Sequence, residues 1–163
     1  MHKDKEKKTN AMRIVEQEKV DYNVYHYAWK EDALDAIHVA DELKLPPEQI
    51  FKTLVAVGDK HGVLVGVIPS HLELDLKKLA KASGNKRVEM LHLKELEKTT
   101  GYIRGGCSPV GMKKSYPTYV GQEIDSIDEI LISAGRRGTQ MGLAPADFLK
   151  VTGATVCDIT KEE

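Results

Sequence analysis

The stretch IFKTLVAV, residues 50–57, is nearly apolar on both faces of a strand and is interrupted by Lys52. Side chains alternate along a strand, so Ile50, Lys52, Leu54 and Ala56 share one face while Phe51, Thr53, Val55 and Val57 share the other. An ammonium in such a run has three readings. It snorkels from a sheet edge into water on its flexible stem. It is a cation held at the rim of a pocket, where a reduced dielectric strengthens its pull on an anionic or polarised ligand atom. Or it is a Schiff-base amine of lowered pKa, although nothing around it resembles a pyridoxal site.

Other chemistry-bearing residues are each open to a structural reading as well. The segment GYIRGGCSPVGMKK, residues 101–114, has glycines at 101, 105, 106 and 111, a density that marks backbone bending sharply or approaching something closely. Gly106 and Gly111 have the spacing of a phosphate loop. Met112 stands where the lysine should follow, and Pro109 removes an N–H from the cradle, so a binding wall of close backbone fits better. Cys107 and Cys157 form no CxxC pair, and the 6 histidines form no HxxxH or HExxH, so neither a disulfide scaffold nor a metal site is expected. Cys107 near a histidine would make a nucleophile, and buried it would be an inert thiol. Tyr27 reads either as a core tyrosine or as a site hydroxyl. Asp147 sits in the first turn of a helix opened by Pro145, where a carboxylate complements the dipole without any further role.

The elements that must position these residues follow from periodicity and punctuation. With 163 residues, 41% hydrophobic and 30% charged, the chain has the size and composition of one globular domain, residues 10–163, behind a charged tail, residues 1–9. No apolar run is long enough to span a bilayer, and no apolar segment follows the charged N-terminus as in a secretory signal, so a cytosolic protein is expected. A formal net charge of −1 excludes a polyanion binder that works by bulk electrostatics. Any nucleic-acid contact must use local patches such as Lys77, Lys78 and Lys81, Lys86 with Arg87, Lys113 with Lys114, or Arg136 with Arg137.

Asn10 is expected to cap a helix carrying Ala11, Ile14 and Val15 inward, and the aromatic run at residues 22–29 to form a strand. Asp32 is expected to cap a second helix through Leu43, with Ala33, Ile37 and Ala40 buried, stopped by Pro46 and Pro47. Residues 50–57 and 63–69 then read as a hairpin across GDKHG, and Asp75 opens a helix that Gly84 closes. A short strand at residues 86–90 and a short helix ending at Gly101 precede the glycine segment. Strands at 129–133 and 139–143, a helix from Pro145 to Gly153 and a final strand from 154 complete the chain. The order is mixed, not a regular βαβα alternation. The fold class is therefore α/β of the α+β type, a mixed, barrel-like sheet flanked by helices.

Four segments in order, FKTL (51–54), TGYIRGGCSPVGMKK (100–114), SAGRRG (133–138) and LAPADFLKVTGA (143–154), make the chain resemble the YbaK/EbsC family of aminoacyl-tRNA deacylases, relatives of the editing domain of prolyl-tRNA synthetase. The resemblance spans nearly the whole chain and is closest to the branch that clears Cys-tRNA(Pro). It implies a free-standing editing factor that works beside prolyl-tRNA synthetase on aminoacylated tRNA, with no cofactor and no metal. By resemblance, Lys52, Tyr27 and Asp147 are expected to be catalytic, and Gly101 and Ser133 to bind substrate; the close backbone of Gly105 and Gly106, read from the glycine density itself, is expected to join Gly101 in the substrate-binding wall. Arg104 and the AWKED that follows Tyr27 depart from the family pattern, at places expected to line the pocket rim.

An aminoacyl-tRNA is an activated ester, so such an enzyme needs positioning and charge stabilisation more than a strong nucleophile. Cysteine esterified to tRNA brings its own thiol. The rivals are an Ala-tRNA(Pro) deacylase that uses water, and a non-catalytic adaptor for tRNA or synthetase.

Overall fold

The structure, a computed structural model, describes residues 7–29 and 36–162. Its centre is a hairpin of β2 (Phe51–Gly58) and β3 (Gly62–Pro69), in register from Phe51 opposite Pro69 to Gly58 opposite Gly62. The sheet is mixed: β4 (Val88–Met90) adds antiparallel to β2, whereas β5 (Thr118–Gly121) and β8 (Thr155–Cys157) add parallel beyond β3, in the order β4-β2-β3-β5-β8. A second, antiparallel sheet has the order β1-β7-β6, from β1 (Asn23–His26), β7 (Thr139–Leu143) and β6 (Ile130–Arg136).

The mixed α/β class holds, but the barrel does not close. β4 reaches only Ala56 along β2, with one more bond from Leu91 N–H to the Val55 carbonyl. The β2 edge before it meets β6 only through a single parallel bridge, Ile50 to Leu131. A gap between the two sheets is left there.

The helices close the outer faces. Between the sheets lies the largest apolar cluster, in which Phe51, Val65 and Val67 of the first sheet meet Ile130, Ile132 and Met141 of the second. Helix α1 (Asn10–Gln17) and helix α5 (Pro145–Thr152) contribute Ala11, Val15 and Phe148. Helix α3 (Leu76–Ser83) packs Leu79 and Ala80 on Ala56, Leu64, Ile68 and Ile159. Its ends are those expected: Asp75 accepts the N–H groups of Lys77 and Lys78, both at 3.0 Å, and Gly84 closes it at φ 75°.

Helix α2 (Ala36–Leu43) covers the other face of the small sheet, with Val39 and Ala40 on Ile50 and Leu131. Its expected cap Asp32 and the expected core residue Ala33 lie outside the described residues. A short 3₁₀ turn at Pro47–Gln49 follows where a plain stop was expected.

Two local expectations change. Thr9, not Asn10, caps α1, its hydroxyl accepting Met12 N–H at 3.1 Å. Asn10 instead donates from Nδ2 to the Gly111 carbonyl at 3.1 Å and so ties the helix to the glycine segment. Strand β5 was not expected, because four residues behind Pro117 offer too little periodicity to register. It is nonetheless central, wedged in parallel between β3 and β8. Helix α4 (Leu96–Thr100), preceded by a 3₁₀ turn at Leu93–Glu95, ends at Gly101 as expected.

Candidate active site

The gap between the sheets forms a cavity of about 200 Å³. Its floor is the face of the small sheet that turns away from the main core. There Ser133 and Gln140 stand opposite each other in the β6–β7 ladder, with Tyr27 just past the end of β1. Ile50, Phe51, Lys52 and Thr53 supply one wall, and Val39 of α2 and Ser70 another. Because the β2 edge is unpaired here, Lys52 and Thr53 both reach the cavity although they leave the strand on opposite faces. The glycine segment closes the rim with Arg104, Gly105 and Cys107.

Lys52 is half-buried, and loss of water around its ammonium lowers its pKa from the ordinary lysine value, against a weaker opposite pull from Glu73. Among the described residues no carboxylate comes within ion-pair distance of it. The pocket-cation reading thus fits where a snorkelling lysine would have been exposed. Three more polar atoms on the cavity wall are buried without a hydrogen-bond partner: Thr53 Oγ1, Gln140 Oε1 and Trp29 Nε1. Buried polar groups are normally satisfied, so three unpaired ones on residues that line one cavity mark it as a place where a polar ligand would find partners.

No histidine lines this cavity among the described residues, and no group of His, Cys, Asp or Glu there is gathered as a metal site would need. Burial pushes the Cys107 thiol up to about 11, so it is held protonated near neutrality, as an inert thiol would be. Ser133 is buried, and its hydroxyl accepts Gly135 N–H at 3.2 Å within the irregularity that separates Ser133 from Arg136 on β6.

The structure therefore brings Lys52, Tyr27, Gly105 and Ser133 together and leaves the other three expected residues elsewhere. Asp147 lines a separate concavity with Asp21, Asp128 and Glu129, at the end of β7 remote from Gln140. Gly101, at φ 88°, is the left-handed residue that ends α4, its N–H on the Glu97 carbonyl at 2.8 Å, and does not line the cavity. Gly106 backs the wall from behind: a Cβ there would stand 3.0 Å from Arg136 Cα, so the residue is set by close packing of the glycine segment on the β6–β7 turn.

The neighbours of Gly101 hold that segment in shape. Tyr102 N–H donates to Thr100 Oγ1 at 3.0 Å, and the Tyr102 hydroxyl donates to the Val110 carbonyl. The residues that the sequence did not single out are Thr53, Ser70, Gln140 and Trp29. Gln140 carried a usable signal, a polar side chain inside TQMGL, which is buried throughout.

Known proteins share this architecture. A 158-residue alignment at 59% identity, covering 97% of the chain and 96% of the relative, matches an Enterococcus faecalis protein that carries the provisional name Cys-tRNA(Pro)/Cys-tRNA(Cys) deacylase EbsC. A crystal structure described provisionally as a trans-editing enzyme for prolyl tRNA synthetase superposes with a TM-score of 0.79 at 24% identity, over 93% of each chain. Another, of a hypothetical protein, superposes at 0.84 with 21% identity, over 94% of this chain and 100% of that one. The family model for the aminoacyl-tRNA editing domain matches residues 30–151, which include the β2 edge, the glycine segment and the β6–β7 floor. The chain belongs to the aminoacyl-tRNA editing domain family.

Proposed function

We propose that this protein removes cysteine from mischarged Cys-tRNA(Pro), and from Cys-tRNA(Cys) as well, releasing free tRNA. The observation that carries this reading is a small cavity with a desolvated cation and, among the described residues, no activated protein nucleophile. Lys52 supplies positive charge, no histidine of the described residues stands in the lining, and the Cys107 thiol is held protonated. About 200 Å³ is less than a drug-sized pocket and suits an aminoacyl group more than a whole nucleotide.

The substrate then provides the attacking atom. Its thiol, with an ordinary pKa near ~8.5, loses its proton, and the sulfur forms a bond to the carbonyl carbon of its own ester. The ester C–O bond breaks, and the electron pair leaves on the ribose oxygen, which takes up a proton. The products are tRNA and a cyclic thiolactone that water opens to cysteine.

The protein's part is to fold the aminoacyl group back on itself and to stabilise the oxyanion that develops as the sulfur adds, the role given to Lys52. Tyr27 and Ser133 orient the aminoacyl end, and Gly105 lets the rim backbone approach it. Asp147 is assigned to α5 rather than to the reacting atoms. The protein works in the cytoplasm beside prolyl-tRNA synthetase, and the net charge of −1 fits a division in which the synthetase supplies most of the tRNA affinity.

The test is the rate of amino-acid release from Cys-tRNA(Pro) against Ser-tRNA(Pro) and Ala-tRNA(Pro), with the same tRNA throughout. Release from the cysteinyl ester at least about 100-fold faster is expected, the size of effect that separates a positioned internal nucleophile from an unassisted one. Equal rates on all three esters would contradict thiol self-attack and point to water. No release from any of them would leave a non-catalytic adaptor.

A further inference from the structure

A second concavity, of about 530 Å³, adjoins the cavity and shares Tyr27 and Trp29 with it. Its other lining residues are His26, Arg136, Arg137, Gly138 and Thr139. The Arg137 guanidinium lies over the Trp29 ring, 4.1 Å from its centroid, and its Nε donates to the Arg104 carbonyl at 2.8 Å. An exposed arginine thus lies over an indole and is tied by a hydrogen bond to the rim of the cavity.

Gly105 makes this arrangement possible. It has φ 88°, and a Cβ there would stand 2.7 Å from Trp29 Nε1 and 3.3 Å from two Arg137 side-chain atoms. The departures at Trp29 and Arg104 are therefore one unit with the second arginine of SAGRRG. Arg137 itself lines only the larger concavity, and neither the carry-over from the family nor the chemistry given to the small cavity uses it.

We propose that the Trp29–Arg137 stack is a landing platform for a nucleobase at or next to the single-stranded 3′ end of the RNA substrate. Single-stranded bases are held on aromatic rings and guanidinium planes. The two concavities divide the substrate: the small one takes the amino acid, and the larger one, reached past Tyr27, takes the nucleotide that bears it or its neighbour. A local platform of this kind also gives a chain of near-neutral net charge a grip on RNA without a basic surface. The proposal rests on the deacylase reading for the identity of its ligand, and its test is separate.

Trp29 is the sole tryptophan, so intrinsic fluorescence reports directly on the platform. The probe is the uncharged single-stranded trinucleotide cytidylyl-cytidylyl-adenosine, titrated into the full chain, with an abasic sugar-phosphate trimer beside it. Saturable quenching by the trinucleotide and none by the abasic trimer is expected. Arg137→Ala should weaken the apparent Kd about tenfold, and Arg137→Lys, which keeps the charge but not the plane, should remain several-fold weaker than wild type. Because Arg137 is exposed, unchanged thermal unfolding of both variants confirms intact folds.

Absence of quenching, equal quenching by the abasic trimer, or an unchanged Kd in Arg137→Ala would overturn the platform. Binding as expected without release from any charged tRNA would overturn the deacylase reading and leave the platform standing. Release from Cys-tRNA(Pro) with no quenching would do the reverse.

Discussion

The two ends of β2 both bury polar side chains, and they treat them in opposite ways. At the Gly58 end, Asn85 is 8% exposed and fully engaged: Oδ1 accepts Lys60 and His61 N–H, each at 3.0 Å, and Nδ2 donates to Ser83 Oγ at 2.9 Å. Asp59, though exposed, is also engaged: it accepts Arg87 and Lys86 N–H, both at 3.0 Å, which holds its carboxyl below the usual range. At the Phe51 end, Lys52 has no ion-pair partner among the described residues, and Thr53 Oγ1 and Gln140 Oε1 have no hydrogen-bond partner. Polar atoms that are paired hold the hairpin turn in shape. Polar atoms left unpaired around a cavity cost stability, and the proposed function is what would offset that cost.

This contrast can be broken by substitution at each end. Asn85→Ala strands the Lys60 and His61 N–H groups, and urea unfolding should show a loss of about 2–3 kcal/mol. A loss under about 0.5 kcal/mol would mean that water replaces the side chain and that the paired end is not structural in the sense argued. Thr53→Val is the counterpart at the other end. It removes an unpaired hydroxyl, so stability should hold or rise by up to about 1 kcal/mol while release of cysteine from Cys-tRNA(Pro) falls about tenfold. A destabilised Thr53→Val would place that hydroxyl in a hydrogen bond and remove it from the ligand set.

A third prediction concerns alkaline pH and is the smallest in energy. The folded pKa of Lys52 is lowered, so between that value and the ordinary lysine value of ~10.4 the unfolded chain carries more protons at this position. Its contribution to stability is therefore present above the ordinary value and is lost as pH falls through the lowered one. At neutral pH Lys52→Met should be more stable than wild type by about 0.5 kcal/mol, an advantage that disappears as pH rises toward ~10.4. Cys107, held up to about 11, and Tyr102, held up to about 12, titrate in both proteins and cancel in the difference. A difference independent of pH would mean that the ammonium is not desolvated.

Much of this was legible in the sequence, for identifiable reasons. The hairpin, α3 with both caps, and the β6–β7 pair were readable because each is bounded by residues with one conformational job, such as Asp75, Gly84 and Gly138. Lys52 was readable because a charge inside an apolar run is an anomaly at the level of pattern. Strand β5 escaped because a four-residue parallel strand is specified by its neighbours, not by its own alternation. Closure of the barrel escaped for a related reason: whether β2 pairs with β6 depends on how far β4 extends, and no residue of β2 encodes it.

Within the site, Tyr27, Ser133 and Gly105 converge on Lys52. Asp147 does not, since α5 begins beyond the end of β7 opposite the cavity, and its first-turn position explains the carboxylate through the helix dipole alone. Gly101 and Gly106 serve the backbone of the wall, not its surface.

The central claim is that Lys52, at the open end of β2, exists for the substrate and not for the fold, and one variant tests it most directly. Lys52→Met keeps the length and apolar stem of the side chain and removes the charge. Cysteine release from Cys-tRNA(Pro) and urea unfolding should be measured on the same preparation. The account predicts a fall in kcat of about 100-fold or more, the usual effect of losing one preorganised group that stabilises an oxyanion, with stability equal to or above wild type. Undiminished release by a stably folded Lys52→Met protein would contradict it.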